Sequence, residues 1–489
     1  MITWGISANS HDAALAVFKD NELLFASHSE RFSGKKNDPD LCDNLVNYAT
    51  GRYGYPDEVV WYERPMVKTA RQLYAGQGFN HRSNNIRDYL RRYGIKGIPI
   101  TYKWHHESHA AAGFYTSTFE DAAVVVIDAI GEFETLTVWH AKNGKLHKVY
   151  SQWYPDSLGL WYSAMTQRCH LKPNEEEYIL MGMAAYGDPN RLRDRIREDF
   201  FVDGRKLVQL KSNLHRGCQD WAPELIVNDT FDIAAATQAV YEEYFDKIIA
   251  YARKIVPSEN LVIMGGCALN CLANPIAYKH YKNIWIMPNP GDAGSAIGAV
   301  LAETQSKIDF KNCYLGYDIP PNSSTGEIVE YLQENQMCGV AQGRAEFGPR
   351  ALGNRSLLAD PRGPDIKDTV NEIKRRQQFR PFAPVILEEL SGDYFDLCGH
   401  SSDHRYMQFI STCRHPELFP AIIHRDGTSR VQTVPQDGSR IRAILEEWYD
   451  LTGCPMLLNT SLNIKGRPMV NDQADARNFE NHYGVRVFT

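Results

Sequence analysis

The chain has 489 residues, of which 43% are hydrophobic and 23% are charged, and its formal net charge is −7 at pH 7. This length exceeds what one compact core accommodates, so two or three domains are expected. The acidic balance argues against a nucleic-acid surface and against an anionic membrane as a partner.

The N-terminal stretch MITWGISANSHDAAL has no basic region followed by an apolar run, so no signal peptide is predicted. No stretch approaches the length of about eighteen apolar residues that a membrane span needs. Ten cysteines are scattered along the chain without a C-x-x-C pair. That usage predicts reduced thiols and a location in the cytoplasm.

The N-terminal region alternates between extended segments and turns. ITWGIS, AALAVFK and ELLFASH are predicted strands, separated by the turns ANSHD and DN. A similar plan returns near residue 121, where AAVVVIDA, TLTVWHA and KLHKVYSQW follow one another. Two matching three-strand openings, each with an aspartate near its first turn, predict an internal duplication. Such duplicated units build the ATP-binding fold of actin, Hsp70 and sugar kinases.

The stretch WHHESHAAAGF (104–114) crowds three histidines and a glutamate together before it turns small and apolar. The zinc-protease pattern H-E-x-x-H is absent, because His109 follows His106 and Glu107 one position too early. His105 and His109 are four apart, so a helix places both imidazoles on one face, where they can share a metal. The alternative is an ordinary polar start of a helix.

Residues 232–256 have apolar positions at helical spacing and are predicted to form one long helix. NLVIMGG follows as a buried strand that ends in a glycine pair, and CALNCLANPIAYKHY is predicted to begin a helix. IWIMPNPGDAGSAIGAVLAET repeats this plan with a Pro/Gly turn, Asp292 and a helix of small residues. A strand, a glycine turn and a helix suit a nucleotide that rests against backbone. Tight helix packing explains the small residues equally well, but it does not explain Asp292.

Residues 304–326 lose periodicity and collect Pro, Ser, Asn and Gly, which is typical of a linker. Three turns follow: GRAEFGPRALGNRSLLADPRG (343–363), KRRQQFRPFAP (374–384) and LLNTSLNIKGRP (457–468). Basic residues in Gly/Pro turns, with amides and hydroxyls on the third turn, predict a cradle for phosphate groups. The basic residues are Arg344, Arg350, Arg355, Arg362, Lys374, Arg375, Arg376 and Arg380. The alternatives are a solvated basic face and a nucleic-acid surface, which would need a basic excess.

Together these segments resemble the O-carbamoyltransferases of the nodulation-protein NodU, cephalosporin and tobramycin type, nearly from end to end. The segments that carry the resemblance are GISANSHDAALAV, ERF, HHESHAAAGFYTS, IDAIGE, SLGLWYS, MGMAAYG, GGCALN, NPGDAGSAIGA, RAEFGPRALGNRSLLADPR, FRPFAP and NTSLN. EFGPRALGNRS and FRPFAP are long enough to be specific.

The resemblance implies an α/β and α+β protein of two domains. Residues 1–308 would form a duplicated actin/Hsp70/sugar-kinase-like domain, similar to the tRNA threonylcarbamoyl-transferring protein. Residues 309–326 would be a linker, and residues 327–489 a YrdC-like domain, similar to the threonylcarbamoyl-adenylate-forming protein. The C-terminal domain would make carbamoyladenylate from carbamoyl phosphate and ATP, with magnesium. The N-terminal domain would then transfer the carbamoyl group to a hydroxyl of a small molecule at an iron centre.

The resemblance also implies roles for individual residues. The metal ligands, for iron(II) or else zinc, would be His105, His109, Asp128 and Asp292. The contacts to the acceptor or to the carbamoyl group would be His11 and Asp12, with His11 or a metal-side aspartate as the base. The adenosine contacts would be Gly265, Gly266 and Asn270. The contacts to carbamoyl phosphate and to the nucleotide phosphates would be Arg350, Lys374, Arg380 and Ser461, assisted by Asn459.

The chain departs from the family pattern at five positions, where a Glu, an Arg, a His, a Lys and a Glu are usual. These positions are Ser29, Gly34, Asn37, Ile179 and Gln377. The changes concern acceptor contacts and part of the nucleotide site, and they leave the four metal ligands in place. Two alternatives stay open at this point: an ATP-dependent small-molecule kinase of the same fold, and a non-catalytic nucleotide-binding descendant. The acceptor is not specified by the sequence.

Overall fold

A computed structural model of the chain describes residues 1–399 and 403–489. The strands are β1 (Ile2–Ser7), β2 (Ala14–Lys19), β3 (Glu22–His28), β4 (Glu58–Trp61), β5 (Ile100–Tyr102), β6 (Asp121–Gly131), β7 (Glu134–Lys142), β8 (Lys145–Trp153), β9 (Asn260–Met264), β10 (Asn283–Trp285), β11 (Tyr314–Ile319), β12 (Met337–Ala341), β13 (Gly343–Glu346), β14 (Arg355–Ala359), β15 (Ala383–Leu387), β16 (Phe395–Asp396), β17 (Ser411–Cys413), β18 (Thr428–Ser429), β19 (Gln432–Val434), β20 (Met456–Ser461) and β21 (Val487–Phe488). The α-helices are α1 (Ser29–Ser33), α2 (Asp43–Tyr53), α3 (Pro65–Tyr74), α4 (Ile86–Arg92), α5 (His105–Thr116), α6 (Leu158–Arg168), α7 (Glu177–Met183), α8 (Arg193–Phe200), α9 (Thr230–Ile255), α10 (Ser295–Thr304), α11 (Thr325–Asn335), α12 (Ile366–Ile373), α13 (Ser391–Tyr394), α14 (Arg440–Thr452) and α15 (Gln473–Tyr483). Within these ranges, none of the helices has the length and apolar character that crossing a membrane requires.

The chain folds into two compact units. Unit 1 comprises Met1–Leu24 and Pro39–Phe310, and unit 2 comprises Phe25–Asp38 and Lys311–Thr489. Residues 25–38 lie near the N-terminus, but they belong to the same unit as residues 311–489. The sequence predicts one uninterrupted domain over residues 1–308. It does not predict that residues 25–38 belong to unit 2, because no local pattern distinguishes this segment.

The predicted linker, residues 309–326, contains a regular strand. β11 pairs antiparallel with β13, and its register shifts between Tyr314 and Asp318. The Pro, Ser and Asn residues that suggested a linker follow this strand, and they lead to the capped start of α11 at Ser324. The loss of hydrophobic periodicity thus reflects a short strand with an irregular register and the turn after it.

Residues 1–310 contain two five-stranded sheets with the same strand order. The first runs β3-β2-β1-β4-β5, and the second, read from the corresponding edge, runs β8-β7-β6-β9-β10. In both sheets the leading strand pairs antiparallel with the next strand and parallel with a later one: β1 with β2 and β4, β6 with β7 and β9. Both predicted three-strand openings are present, and the repeated order is the internal duplication that they predict. The fold is mixed α/β.

Small residues let α10 pack very close to its neighbours. A methyl group added to Gly298 would lie 1.9 Å from the carbonyl oxygen of Ser108 on α5, and one added to Gly5 on β1 would lie 1.9 Å from that of Ala296. Neither position has room for a side chain. The small residues of SAIGA therefore serve helix packing, the second of the two interpretations above, and this packing holds α5 beside the start of α10.

The long predicted helix is present as α9, but the helix predicted from CALNCLANPIAYKHY is not. That segment forms two short 3₁₀ turns, Gly266–Leu269 and Asn274–Lys279. Pro275 lacks an N–H group and disfavours the helical conformation of the preceding residue. The side chain of Asn270 also accepts a hydrogen bond from the backbone N–H of Ala273 at 3.1 Å, which closes a local turn.

Unit 2 is built on a six-stranded mixed sheet with the order β19-β15-β20-β14-β12-β21. One apolar cluster includes residues from α12 and α15, and another includes residues from α11 and α14. The strands alternate between these two clusters: Leu357 and Leu458 contribute to one, Leu358 and Leu457 to the other. Ser461 is the last residue of β20, an inner strand of this sheet.

Candidate metal centre and phosphate-binding cluster

Two imidazoles from α5 lie side by side in unit 1. His105 and His109 are one helical turn apart, and their Nε2 atoms are 3.1 Å from each other. Both side chains are buried. The helix thus presents both nitrogen atoms at one point, as the four-residue spacing predicts.

Two carboxylates approach the same point from different elements. Asp128 lies near the end of β6, and Asp292 lies in the 3₁₀ turn that precedes α10. Nε2 of His105 is 3.1 Å from an oxygen of Asp128 and 3.3 Å from one of Asp292. Nε2 of His109 is 3.3 Å from the same oxygen of Asp292. The structure therefore brings together all four residues that the sequence assigned to a metal.

The geometry of this cluster fits a bound cation. The four ligand atoms lie within 4.8 Å of one another. Around an ion with bond lengths of about 2.1 Å, two ligands at right angles lie about 3.0 Å apart, and a wider angle increases that separation. The separations of 3.1 and 3.3 Å between the histidine nitrogen atoms and their nearest partners match this range. Two nitrogen and two oxygen donors suit iron(II) or zinc, and an octahedral ion would keep positions free for other ligands.

His105 and Asp292 each favour the charged form of the other. Burial opposes ionisation of Asp292, but the neighbouring His105 and His109 outweigh it and hold the pKa of that carboxyl well below its usual range. Burial likewise opposes protonation of His105, and Asp292 and Asp128 outweigh it and raise the pKa of the imidazole. Two anionic carboxylates that attract positive charge to buried imidazoles form a site suited to a cation.

His106 and Glu107 lie away from this point. Nδ1 of His106 is 3.0 Å from the hydroxyl of Thr137 on β7. Glu107 lies at the helix start, where its carboxylate accepts from the backbone N–H of Trp104 at 3.4 Å. Their separation from the two ligand histidines follows from helix geometry, as predicted.

Glu132 is a candidate site residue that sequence analysis did not single out. It is 3% exposed and lies between β6 and β7 with φ of +54°. Its carboxylate accepts from the backbone N–H of Arg64 at 2.5 Å, and it interacts electrostatically with His105, the first residue of α5. Burial raises its pKa to about 7. The only signal in the sequence is its place at the end of IDAIGE, four residues after Asp128.

His11 and Asp12 form a pair in the turn between β1 and β2. Nδ1 of His11 is 3.2 Å from a carboxylate oxygen of Asp12, and the backbone of Asp12 has φ of +45°. Burial opposes protonation of His11, but the hydrogen bond and charge of Asp12 outweigh it and raise the pKa of the imidazole to about 9. The charge of Asp292 contributes to the same shift, so the turn faces the metal cluster. A protonated imidazole donates hydrogen bonds from both of its nitrogen atoms; the role of His11 as a base stays a prediction.

The glycine pair after β9 supports the metal cluster. Gly265 has φ of +90°, and a methyl group there would lie 2.2 Å from the carbonyl oxygen of Ile127. The backbone N–H of Gly266 donates to the carboxylate of Asp128 at 3.2 Å. Asn270 exchanges two hydrogen bonds of 3.0 Å with Gln238 of α9. These contacts give the three residues structural roles, and their contact with adenosine stays a prediction.

Lys374 and Ser461 meet in unit 2. Nζ of Lys374 donates to the hydroxyl of Ser461 at 3.2 Å, to its carbonyl group, and to the carbonyl and side-chain oxygens of Asn463 at 2.9 and 3.0 Å. The lysine is 4% exposed. Burial, and then the charges of Arg376 and Arg380, lower its pKa well below the usual range. An anion bound here would therefore stabilise the charged ammonium group.

Asn459 supports the loop that carries Arg350. Its Nδ2 donates to the carbonyl oxygen of Ala351 at 3.1 Å and to the side chain of Gln432 at 2.7 Å. Asn459 is 1% exposed, whereas Arg350 and Arg380 are half-buried. The asparagine thus positions the loop, and the two arginines keep part of their surface available.

Three of the arginines in the predicted cradle are structural instead. The guanidinium of Arg355 is fully buried and donates to backbone carbonyl groups of Tyr317, Gln342, Gly343, Asn354 and Asn471. Arg344 donates to the carbonyl groups of Leu315 and Gly316, and Arg362 pairs with Asp360 at 2.8 Å. Their donors are occupied by the fold, so the prediction that they bind phosphate is not supported.

Comparison with known proteins identifies the family. The family model described as Carbamoyltransferase N-terminus matches residues 84–301, and the one described as Carbamoyltransferase C-terminus matches residues 329–489. An uncharacterized protein of Synechocystis sp. is 33% identical, with 96% of this chain and 93% of that protein covered. Nodulation protein NolO of Bradyrhizobium diazoefficiens is 30% identical over 76% of this chain and 75% of that protein. Nodulation protein NolNO of Sinorhizobium fredii is 28% identical over 95% of this chain and 76% of that protein.

These matches confirm the resemblance that the sequence motifs indicated. They extend over the residues of the metal cluster and over the basic turns of unit 2. The chain belongs to the carbamoyltransferase family, and it is a carbamoyltransferase enzyme.

Proposed function

We propose that this enzyme is an O-carbamoyltransferase that makes carbamoyladenylate from carbamoyl phosphate and ATP and transfers the carbamoyl group to a hydroxyl of a small molecule. The observation that carries the proposal is the convergence of His105, His109, Asp128 and Asp292 on one point in unit 1. A small-molecule kinase, the first alternative above, needs no such set of ligands. Membership in the family also argues against a non-catalytic descendant.

The organisation of the chain supports this assignment. The repeated strand order of unit 1 supports an actin-like and sugar-kinase-like domain. For unit 2 we propose a YrdC-like domain, because its mixed sheet ends in the cluster of Lys374 and Ser461. The ten cysteines are free thiols, which supports a cytoplasmic location.

We assign adenylate formation to unit 2. Water first cleaves carbamoyl phosphate to carbamate and inorganic phosphate. A carbamate oxygen then attacks the α-phosphorus of ATP, accompanied by magnesium, and displaces pyrophosphate. Lys374, with Arg350 and Arg380, supplies the positive charges that the phosphate groups need, since guanidinium and ammonium groups form strong hydrogen bonds with phosphate oxygens. Ser461 adds a hydroxyl.

We assign carbamoyl transfer to unit 1. The acceptor oxygen forms a bond to the carbamoyl carbon, and the bond from that carbon to the phosphate oxygen breaks, so that AMP leaves. The hydroxyl proton passes to the carboxylate of Asp12, and the protonated His11 donates a hydrogen bond to the carbamoyl oxygen. When bound, the iron(II) or zinc would supply Lewis-acid stabilisation of the negative charge that develops on oxygen.

The proposal is tested by the products that the enzyme makes. Carbamoyl phosphate, ATP and magnesium should yield AMP and pyrophosphate, and mass spectrometry over a panel of hydroxylated metabolites should detect a carbamoylated product. Formation of ADP as the sole nucleotide product would support the kinase alternative instead.

A further inference from the structure

Unit 1 exposes a group of aromatic side chains at the end of α3. Tyr74 is 68% exposed, and its ring centroid is 6.1 Å from that of Phe133 and 6.2 Å from that of Tyr154. Trp153, 59% exposed, lies 6.1 Å from Phe133. Tyr154 is buried and Phe133 is half-buried, so Tyr74 and Trp153 form the exposed part of this group, and exposed aromatic side chains of this kind indicate a binding surface.

A chain of hydrogen-bonded polar side chains, Arg71, Gln77 and His215, contacts this group of aromatic residues. Nη1 of Arg71, one turn before Tyr74 on α3, donates to Oε1 of Gln77 at 2.6 Å. Nε2 of Gln77 lies 2.8 Å from Nε2 of His215, whose ring packs against Tyr154 at 5.7 Å. Since the amide nitrogen must donate, Nε2 of His215 accepts and its Nδ1 carries the proton.

Two donors of this chain have no acceptor. Nε of Arg71 and Nδ1 of His215 are buried and lack a hydrogen-bond partner among the described residues. Arg71 as a whole is only 8% exposed. Buried donors of this kind are costly unless a ligand supplies the acceptor.

The local charge is positive and is only partly balanced, by the carboxylate of Glu63. Within the described ranges neither Arg71 nor Arg216 forms an ion pair, and Arg216 extends to within 4.0 Å of the space beside Gly76. The nearby carboxylate of Glu63 is already paired with Lys68 at 2.6 Å. An anion is the group that would satisfy both the open donors and the charge.

The same helix connects this surface to the residues proposed for transfer. Nζ of Lys68 donates at 2.7 Å to the carbonyl oxygen of Asn9, two residues before His11. Lys68 and Tyr74 are six residues apart, or about 9 Å along the helix. Tyr62 lies within the electrostatic reach of Arg71, and its ring centroid is 5.2 Å from that of His105. The helix that carries Tyr74 and Arg71 therefore also contacts the turn that carries His11 and Asp12.

We propose that the surface formed by Arg71, Tyr74, Gln77, Tyr154 and His215 binds the carbamoyl acceptor, and that this acceptor is a ring-shaped alcohol bearing a carboxylate or phosphate group. The ring packs on the aromatic faces, and the anion receives the donors of Arg71 and His215. This inference rests on the proposed transfer to a hydroxyl, and it adds the charge class of the acceptor.

Binding is tested with small probes on the full chain. Benzoate and phenyl phosphate should bind about tenfold or more tightly than benzyl alcohol, measured by calorimetry or ligand-observed NMR. Arg71→Gln should remove that preference, Arg71→Lys should keep part of it, and Arg52→Gln, on the exposed end of α2, should match the wild type. Comparing the two anions shows whether a carboxylate or a phosphate is preferred.

Turnover supplies the second measurement. Glucuronate and glucose 6-phosphate should be carbamoylated in preference to glucose and glucosamine. Four outcomes would each overturn the inference. In the binding measurements, they are binding that does not depend on charge, no binding of either anion, and an unchanged preference in Arg71→Gln. In turnover, the fourth is a neutral or cationic compound as the preferred acceptor. Failure of the wild type to make AMP and pyrophosphate would instead overturn the proposed function, and charge-selective binding of the probes would still be measured independently.

Discussion

The two candidate sites of this enzyme are built in different ways. In unit 1, the metal cluster takes its four ligands from elements whose backbones are held in contact by small residues, and every predicted ligand reaches the same point. In unit 2, the basic residues of the predicted phosphate cradle separate into two groups. Lys374 meets Ser461, whereas Arg355 donates to surrounding backbone carbonyl groups.

Residue type alone predicts the phosphate-binding cluster of unit 2 less well than it predicts the metal cluster of unit 1. A carboxylate or imidazole in a buried cluster of its own kind has few structural uses besides binding a cation. A buried arginine has five donors and can stabilise loops as readily as it binds phosphate. Clustered basic residues therefore predict a phosphate site with less specificity than clustered metal ligands predict a metal.

The sharpest test separates the two sites by half-reaction. Arg350→Ala should fail with carbamoyl phosphate and ATP but still transfer from supplied carbamoyladenylate. His105→Ala should still make AMP and pyrophosphate but leave the acceptor unmodified. Each loss should be about a hundredfold or more, because each change removes a charge-stabilising group. Product analysis by mass spectrometry measures both.

The control for this pair is folding and metal content. Thermal melting should show that both variants are folded, and metal analysis should show a loss of bound ion in His105→Ala and in His109→Ala. A fully loaded His109→Ala would contradict the metal assignment, and loss of the same half-reaction in both variants would contradict the division between the two units.

Arg355→Met tests the structural role of that arginine. The change leaves several buried carbonyl groups without donors, so the free energy of unfolding should fall by about 2–3 kcal/mol. Chemical denaturation measures this effect. Arg477→Met, on the exposed side of α15, is the matched control and should have little effect. A normally stable Arg355→Met that had lost affinity for ATP would show that Arg355 binds phosphate after all.

Gly298→Ala tests the close packing of α10 on α5. The added methyl group would lie 1.9 Å from a backbone oxygen of Ser108, so the helices must separate. We expect a loss of about 1–2 kcal/mol in the free energy of unfolding, with a lower metal occupancy. Gly51→Ala, in α2 with open space around it, should not lower stability. Full occupancy in a destabilised Gly298→Ala would show that the site tolerates displacement of the helix.

Glu132→Gln tests a contact behind the metal cluster. The carboxylate accepts from the backbone N–H of Arg64 and interacts electrostatically with His105, and the amide keeps the shape but loses the negative charge. Metal affinity should fall about tenfold, as for other groups that orient metal ligands, while the melting temperature changes little. Competition with a chelator measures the affinity. Glu303→Gln at the exposed end of α10 is the control, and equal affinities in both variants would remove Glu132 from the site.

The histidine half of the metal cluster could be predicted because its pattern is local. A four-residue spacing places His105 and His109 on one face of any helix, whereas Asp128 and Asp292 were predicted through the resemblance to the family. Glu132 could not be predicted, because its role depends on a backbone N–H from a helix that is distant along the chain and on a conformation with positive φ.

The sequence by itself determined the duplicated strand plan, the long helix and the residue types of both sites, because periodicity, turn chemistry and helix spacing act over a few residues. Only the tertiary structure decided that residues 25–38 belong to unit 2, that the predicted linker contains β11, and that the donors of Arg355 are occupied by the fold. It also decided that the donors of Arg71 are left partly open. These outcomes depend on which carbonyl groups and side chains from distant segments come within hydrogen-bonding distance, and no local pattern encodes that distance.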